Sequence, residues 1–241
     1  MTATQETKQI TCPICRNKQK TSYQIVGEDE SSVTWFHCFC GVIFHDDGID
    51  KKNFNAEYKQ KWADMKGVKD RTLYSFKTYL PIIEESIYGR KFLDVGFTET
   101  FMIEELKERG WIATGIDLID NDYITGDFED FDFDGKTFDF IHLGHVLESF
   151  ESPVAALAKC YELLNKDGII LITHPAPELI HHVGLQGFGA WDSKHCWCFM
   201  PKDVIKRVAI GLGFDILLDR LNYSQRFVVF NDRHMLLQKK F

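Results

Sequence analysis

Apolar and polar positions divide the chain into three stretches with different periods. In residues 1–50, short alternating segments predict β-strands at Thr21–Val26 and Ser32–Phe36. In residues 51–90, large apolar side chains recur at helical spacing, which predicts one or two helices. From residue 91 onward, strand-like and helix-like segments alternate, a pattern typical of a parallel sheet with crossover helices.

The alternating region predicts the individual elements of that sheet. The first five strands are expected at Phe92–Val95, Ala113–Asp117, Tyr123–Thr125, Phe138–Leu143 and Ile169–Thr173. The helices are expected at Thr98–Arg109, Ser152–Leu164 and Pro201–Gly211, and two closing strands at Phe214–Leu221 and Phe227–Leu237. Ser152 is the expected N-cap of its helix, with Pro153 at the first helical position. The order predicts an α/β fold with a doubly wound, mostly parallel, Rossmann-like sheet of seven strands behind a small N-terminal module.

Composition and charge narrow the class of protein. A chain of 241 residues accommodates one α/β domain and a small appendage. No apolar run approaches the roughly 20 residues that cross a bilayer, and the polar start MTATQETKQI lacks the apolar core of a signal peptide. We therefore expect a cytoplasmic protein without a membrane partner. The net charge of −8 disfavours a nucleic-acid partner, because phosphate-binding surfaces are usually basic.

Four cysteines form two tight clusters near the N-terminus. Cys12-Pro13-Ile14-Cys15 has the spacing of a zinc knuckle, and the second cluster reads His37-Cys38-Phe39-Cys40-Gly41. Zinc takes four tetrahedral ligands, and two knuckles supply two each. Cys12, Cys15 and Cys40 are predicted ligands, and the fourth is either Cys38 or His37, since His37 and Cys40 repeat the two-residue gap of the first knuckle. Four protein ligands leave no open position, so the predicted zinc is structural. The alternative is a set of buried thiols without metal.

A cofactor site is predicted where the first strand of the sheet ends. The segment Phe92–Thr100 reads as strand, sharp turn and helix, and Gly96 permits a tight turn where a ligand approaches. Asp117 then places a carboxylate at the end of the next strand. A carboxylate in that position accepts hydrogen bonds from the ribose of an adenosine-containing cofactor.

Five segments then follow in a fixed order: FLDVG, GIDL, GDFEDFDF, FDFIHLGHVLESFESPVAALAKCYELLNKDGIILITHP and HCWCFMPKDVIKRVAIGLGFDIL. Together they resemble the blocks of class I S-adenosylmethionine-dependent methyltransferases, in the group that contains the ubiquinone-biosynthesis-type O-methyltransferases. The resemblance covers roughly residues 91–240. It implies that S-adenosylmethionine is the cofactor.

The same resemblance implies roles for individual residues. Asp94 and Gly96 would border the methionine end of the cofactor, and Asp117 with the adjacent Leu118 would bind the ribose. Asp127 and Phe128 would bind the adenine, and Leu143 would line the pocket. The chain departs from the family after Gly96, where Phe97-Thr98-Glu99-Thr100 replaces further glycines. Thr98 would offer a hydroxyl hydrogen bond instead, and the departure leaves open a scaffold that no longer binds cofactor.

A general base is expected near the ends of the fourth and fifth strands. His145 follows the fourth strand and His174 ends the fifth, so these are the candidate catalytic residues. Glu148 stands where the resembled family often has Glu before His, and Ser149 replaces that histidine. The glycine- and aromatic-rich segment His181–Phe199 is either a substrate lid or a loop packed on the sheet edge.

The sequence therefore predicts a zinc-ribbon-like module at residues 1–50, a helical linker at 51–90 and a catalytic domain at 91–241. The N-terminal region resembles that of bacterial and phage methyltransferases encoded with glycan or small-metabolite pathways. The leading prediction is O- or N-methylation of a small-molecule acceptor, with a sugar or glycan precursor among the candidates. The alternatives are an RNA methyltransferase that uses the zinc module to bind RNA, and an inactive methyltransferase-like scaffold.

Overall fold

The computed structural model describes residues 10–18, 21–26, 32–45, 47–64, 68–97, 99–188, 190–191, 194–222 and 232–240. Their strands are β1 Thr21–Val26, β2 Ser32–His37, β3 Ile43–His45, β4 Lys91–Val95, β5 Ile112–Asp117, β6 Ile124–Thr125, β7 Phe138–Gly144, β8 Leu164–Pro175, β9 Cys198–Phe199, β10 Phe214–Asn222 and β11 Asp232–Lys239. Their α-helices are α1 Ala56–Asp64, α2 Val68–Ser86, α3 Phe101–Glu108, α4 Pro153–Leu163, α5 Ile180–Gly187 and α6 Lys202–Leu212. Short 3-10 helices lie at Lys51–Asn53, Leu147–Ser149 and Pro177–Leu179.

The main sheet confirms the predicted doubly wound, mostly parallel architecture. Within the described residues it has seven strands in the order β10-β11-β8-β7-β4-β5-β6. Strands β8, β7, β4, β5 and β6 are parallel, and β11 runs antiparallel to both of its neighbours. The chain runs from β4 outward to β6 and then returns to β7 on the other side of β4. Ligands of open α/β sheets bind outside the carboxyl ends of the strands at such a switch point.

Helices cover both faces of the main sheet, because its central strands are apolar on both sides. Leu93 and Ile141 belong to the core on the side of α4 and α6, and Phe92 and Phe140 to the core on the side of α2 and α3. The alternation follows from the period of two in a β-strand. Burial on both faces is typical of parallel sheets.

The ends of several elements differ from the predicted ones. Helix α3 begins at Phe101, with Thr100 as its N-cap, and the start predicted at Thr98 lies outside the described residues. The last strand begins at Asp232, and the start predicted at Phe227 lies outside the described residues. The predicted start of α4 is confirmed: Ser152 Oγ accepts the Ala155 N–H at 3.3 Å, and Pro153 opens the helix.

A second, smaller sheet contains a strand that sequence reasoning did not assign to it. Among the described residues its order is β1-β2-β3-β9, and all pairs are antiparallel. Strand β9 comes from the segment after β8, far along the chain, and pairs Phe199 with Ile43. The Trp35 ring stacks on Phe199 with ring centroids 5.2 Å apart. The N-terminal region and the later segment therefore fold together.

The longest described helix is α2, with 19 residues and a proline, Pro81, in its interior. No helix in the described part of the chain combines the length and the apolar character needed to cross a bilayer.

Candidate functional site

A cavity of about 240 Å³ opens at the switch point of the main sheet. Its floor is formed by the carboxyl ends of β4, β5 and β7, and its walls by the Leu147–Ser149 turn, α1 and α2. Six of the predicted cofactor-binding residues line it, and so does one predicted catalytic residue: Asp94, Gly96, Asp117, Leu118, Asp127, Phe128 and His145. The structure thus brings most of the predicted site together.

Gly96 makes the turn that opens the cavity. Its φ is +68°, in the left-handed region that favours glycine, and its N–H donates to the Ile116 carbonyl at 2.9 Å. A β-carbon at this position would lie 2.8 Å from Cγ2 of Val146. Both the backbone conformation and the close approach of Val146 therefore require glycine here.

Two carboxylates flank this turn. Asp94, only 4% exposed, has Oδ1 2.8 Å from Nδ1 of His142, which holds the carboxylate at the end of β4. Asp117 ends β5, and its Oδ1 accepts the Ile119 N–H at 2.9 Å. Burial raises the pKa of Asp117, although this hydrogen bond and the positive charge of Lys59 oppose the shift. A half-buried carboxylate beside a glycine turn fits the ribose of an adenosine-containing cofactor.

The predicted adenine-binding carboxylate is already engaged. Asp127 Oδ2 forms an ion pair with Lys51 Nζ, and its Oδ1 accepts the Glu129 N–H at 3.0 Å. Lys51 also lies 3.4 Å from Glu129 and 3.1 Å from Glu151. An adenine amino group must therefore share Asp127 with Lys51 or displace it. The buried Phe128 lies beside this cluster and lines the cavity.

Three predicted site residues lie outside the cavity lining or outside the described residues. Leu143 lies in the core, whereas His142 and Gly144 line the cavity, because alternate residues of β7 face opposite sides. For the same reason His174 faces away from the cavity, while Thr173 and Pro175 line it. Burial lowers the pKa of His174 to about 3, so its imidazole is neutral. Thr98 lies outside the described residues.

His145 lies between two buried carboxylates at the far end of the cavity. Its Nδ1 is 3.6 Å from Oε1 of Glu148, and its Nε2 is 3.5 Å from Oδ1 of Asp232. Burial pushes the pKa of His145 down, but the two carboxylates outweigh it and raise the pKa to about 10. The imidazole is protonated at neutral pH, and each of its two nitrogens faces a carboxylate.

Sequence reasoning missed most of the cavity wall. It includes aromatic side chains from the N-terminal side, Phe54, Tyr58, Trp62 and Phe76. The Tyr58 ring stacks on His195 with centroids 3.9 Å apart. The spacing of Tyr58 and Trp62 on one helix face was visible in the sequence, but nothing local indicated which surface that face would cover.

The segment predicted as a lid or an edge loop both lines the cavity and packs on the small sheet. Phe188, Ala190 and Cys196 contribute to the wall. The ring centroids of Trp191 and Trp35 are 5.1 Å apart. Nε1 of Trp191 donates to the Leu185 carbonyl at 2.6 Å. The segment therefore connects the small sheet to the cavity.

The N-terminal cysteines meet in a single cluster. The sulfurs of Cys12, Cys15, Cys38 and Cys40 all lie within 4.8 Å of one another. Cys12 and Cys40 are 3.8 Å apart, and Cys15 and Cys38 are 3.4 Å apart. Zinc bonded to four thiolates at about 2.3 Å places neighbouring sulfurs about 3.8 Å apart. The donor set and its spacing fit zinc.

His37 is not a member of this cluster. It lies on β2, opposite Ile43 of β3, and its ring centroid is 6.4 Å from that of His181. Of the two predicted alternatives for a fourth ligand, the structure thus places Cys38 with the other thiols. Each knuckle is followed by a residue with left-handed φ, Arg16 at +63° and Gly41 at +95°. Burial opposes the ionisation of Cys15, but the Asn17 N–H and the neighbouring thiols lower its pKa to about 7.

Comparison with known proteins gives the family. The model of a family described as a methyltransferase domain matches residues 68–218, more than half of the chain. Among curated proteins, none matches the chain significantly in sequence.

Solved structures share the fold at low sequence identity. Magnesium protoporphyrin IX methyltransferase from Synechocystis, with bound S-adenosylhomocysteine, has a TM-score of 0.58 at 14% identity, covering 79% of this chain and 98% of that one. The same enzyme with bound S-adenosylmethionine has a TM-score of 0.55 at 14% identity, covering 79% and 95%. An S-adenosylmethionine-dependent methyltransferase from Archaeoglobus fulgidus has a TM-score of 0.55 at 18% identity, covering 76% and 98%. The chain belongs to the methyltransferase-domain family and is a class I S-adenosylmethionine-dependent methyltransferase.

Proposed function

We propose that this enzyme methylates a small-molecule acceptor on oxygen or nitrogen. The observation that carries the proposal is the cavity at the switch point, which the N-terminal helices α1 and α2 border. A cavity of about 240 Å³ with aromatic walls suits a small acceptor beside the cofactor. A sugar or glycan precursor remains one candidate, to be separated from other small molecules by assay.

The acidic character of the chain weighs against the RNA alternative. An RNA platform needs a basic surface, whereas the chain carries a net charge of −8. The scaffold alternative rested on the missing glycines after Gly96. The left-handed turn at Gly96 and the carboxylates of Asp94 and Asp117 support cofactor binding instead.

We assign the cofactor to the cavity floor. Asp94 and Gly96 would border its methionine end, and Asp117 with Leu118 would bind the ribose. Phe128 would bind the adenine, and so would Asp127 once its ion pair with Lys51 is broken or shared. S-adenosylmethionine, when bound there, supplies the methyl group as an electrophile. The protein residues then position the acceptor and remove its proton.

His145 has a different role in this proposal from the base expected at first. Between Glu148 and Asp232 its protonated ring orients the two carboxylates. His174, on the opposite face of β8, has no part in the proposed chemistry.

The thiol cluster would hold one structural zinc through Cys12, Cys15, Cys38 and Cys40. Four thiolates complete a tetrahedral site and leave no position for substrate, so the metal would stabilise the fold of the small sheet. We keep the division into a zinc module at 1–50, a helical linker at 51–90 and a catalytic domain at 91–241. Strand β9 belongs to the catalytic domain in sequence but pairs with β3 of the zinc module.

Two measurements test the proposal. Calorimetry with S-adenosylhomocysteine should show one binding site, and labelled S-adenosylmethionine should transfer its methyl group to a member of a panel of small alcohols, phenols, amines and sugars. Total RNA serves as the competing acceptor. Absence of S-adenosylhomocysteine binding would support the scaffold alternative. Labelling of RNA and of no small molecule would support the RNA alternative.

A further inference from the structure

Glu148 carries a buried carboxylate at the wall of the cavity. The residue lies in the 3-10 helix Leu147–Ser149 directly after β7, is 4% exposed and lines the cavity. Its Oε2 has no hydrogen-bond partner among the described residues. Leaving a buried polar atom unsatisfied is unfavourable, and such atoms in native proteins usually have a partner. A ligand that donates a hydrogen bond would supply it.

The groups around Glu148 determine what such a ligand can be. His145 lies against both Glu148 and Asp232, and its ring is protonated at neutral pH. An imidazolium has no lone pair with which to accept a proton. Any proton released at this end of the cavity must therefore go to a carboxylate, and Oε2 of Glu148 is the oxygen without a partner.

The wall of the cavity indicates the kind of acceptor. The side chains of Phe54, Tyr58, Trp62 and Phe76 give it an aromatic surface, which suits an uncharged, ring-bearing molecule.

We infer that Glu148 is the general base of the reaction and that the acceptor is a neutral hydroxyl compound whose O–H donates to Glu148 Oε2. The inference rests on the proposed function. In the transfer, the acceptor oxygen forms its bond to the methyl carbon, the carbon–sulfur electron pair stays on sulfur, and the O–H proton moves to Glu148. His145 acts as a positioning residue that orients Glu148.

The test uses phenol and anisole as probe ligands of the enzyme saturated with S-adenosylhomocysteine. The two compounds differ in the hydroxyl proton. Titrations followed by NMR should show that phenol binds on the order of tenfold more tightly than anisole, since anisole lacks the proton that makes a hydrogen bond to a charged group. In Glu148→Gln this preference should fall several-fold, while anisole affinity stays unchanged.

The exposed Glu162 on α4 provides the matched control, because Glu162→Gln removes a carboxylate remote from the cavity. It should bind both probes as the wild type does. Equal binding of phenol and anisole, no phenol binding, or an undiminished phenol preference in Glu148→Gln would each overturn the inference. S-adenosylhomocysteine affinity is measured in every variant. A wild type that does not bind S-adenosylhomocysteine would count against the proposed function. Loss of S-adenosylhomocysteine binding in Glu148→Gln alone would show a structural role and overturn the assignment of Glu148 as base.

Discussion

The backbone N–H of Trp197 donates a 3.0 Å hydrogen bond to the carbonyl of Glu148. Trp197 directly precedes β9, the strand that completes the small sheet beside β3. The carbonyl of Trp197 also accepts the His45 N–H at 3.1 Å. The turn that carries Glu148 is thus joined, through Trp197 and His45, to the small sheet, whose strands β2 and β3 flank Cys38 and Cys40.

This connection predicts that zinc removal loosens the cavity wall. Stripping the metal with a strong chelator should increase deuterium uptake at residues 194–200 and 145–150, because β3 is the one neighbour of β9 among the described strands of the small sheet. Peptides covering β5 in the main sheet should be unaffected. Hydrogen exchange followed by mass spectrometry measures both. Increased uptake confined to the knuckles would contradict the predicted connection.

The fourth zinc ligand can be identified by paired substitutions. Cys38→Ser should lose most of the bound zinc and lower the melting temperature, because the metal stabilises the folded module. His37→Gln should keep one zinc per chain, since the His37 ring lies apart from the thiols. Metal analysis of freshly purified protein decides between Cys38 and His37 as the fourth ligand. Cys196→Ser is a control, because Cys196 lies outside the cluster. Zinc loss in His37→Gln with zinc retained in Cys38→Ser would reverse the assignment.

Asp117 should contribute strongly to cofactor affinity. Asp117→Asn keeps an oxygen for the Ile119 N–H but removes the charge, and should weaken S-adenosylhomocysteine binding by about 1.5–3 kcal/mol, or roughly 10- to 150-fold. The exposed Asp122 is the matched control, and Asp122→Asn should bind as the wild type does. Calorimetry measures both. Equal affinity in the two variants would remove Asp117 from the site.

Gly96 and Gly110 form a matched pair for the effect of a β-carbon. Both have left-handed φ, +68° and +81°, but only at Gly96 would the added carbon meet a neighbour, since nothing lies within 4 Å at Gly110. Gly110→Ala should cost about 1–2 kcal/mol of unfolding free energy from the backbone alone. Gly96→Ala should cost more and weaken S-adenosylhomocysteine binding. Denaturant unfolding and calorimetry measure these effects. Equal losses of unfolding free energy in both variants would show that the Val146 side chain moves aside for the added carbon.

The protonation of His145 gives a pH dependence with a definite sign. A pKa of about 10 in the folded protein exceeds that of a free imidazole, about 6.5. Its contribution to the unfolding free energy is therefore complete below pH 6.5 and is lost as the pH rises towards 10. NMR of the labelled ring should show it protonated from pH 6 to 8, and Asp232→Asn should lower its pKa. Titration of His145 near pH 6.5 in the wild type would contradict the assigned charge.

Local features were predictable because they depend on neighbours in the chain. The cap at Ser152, the glycine turn at Gly96 and the carboxylate at Asp117 follow from short-range backbone chemistry and strand order. The knuckle Cys12–Cys15 is equally local. The choice between His37 and Cys38 could not be predicted locally, because spacing alone allows either residue. It is the pairing of β2 with β3 that turns the His37 ring away from the thiols.

The amino-acid pattern alone determined the fold class, the glycine turn at Gly96 and the two cysteine clusters, since the period, the turns and the strand ends depend on contiguous residues. It could not determine which side of β8 carries chemistry, so His174 was placed in the site although Thr173 and Pro175 face the cavity. Asp232 reaches His145 only through the antiparallel pairing of β11 with β8. That contact joins residues distant in the chain and shifts the His145 pKa, so the charge on His145 and the assignment of the base to Glu148 depend on the folded arrangement of the strands.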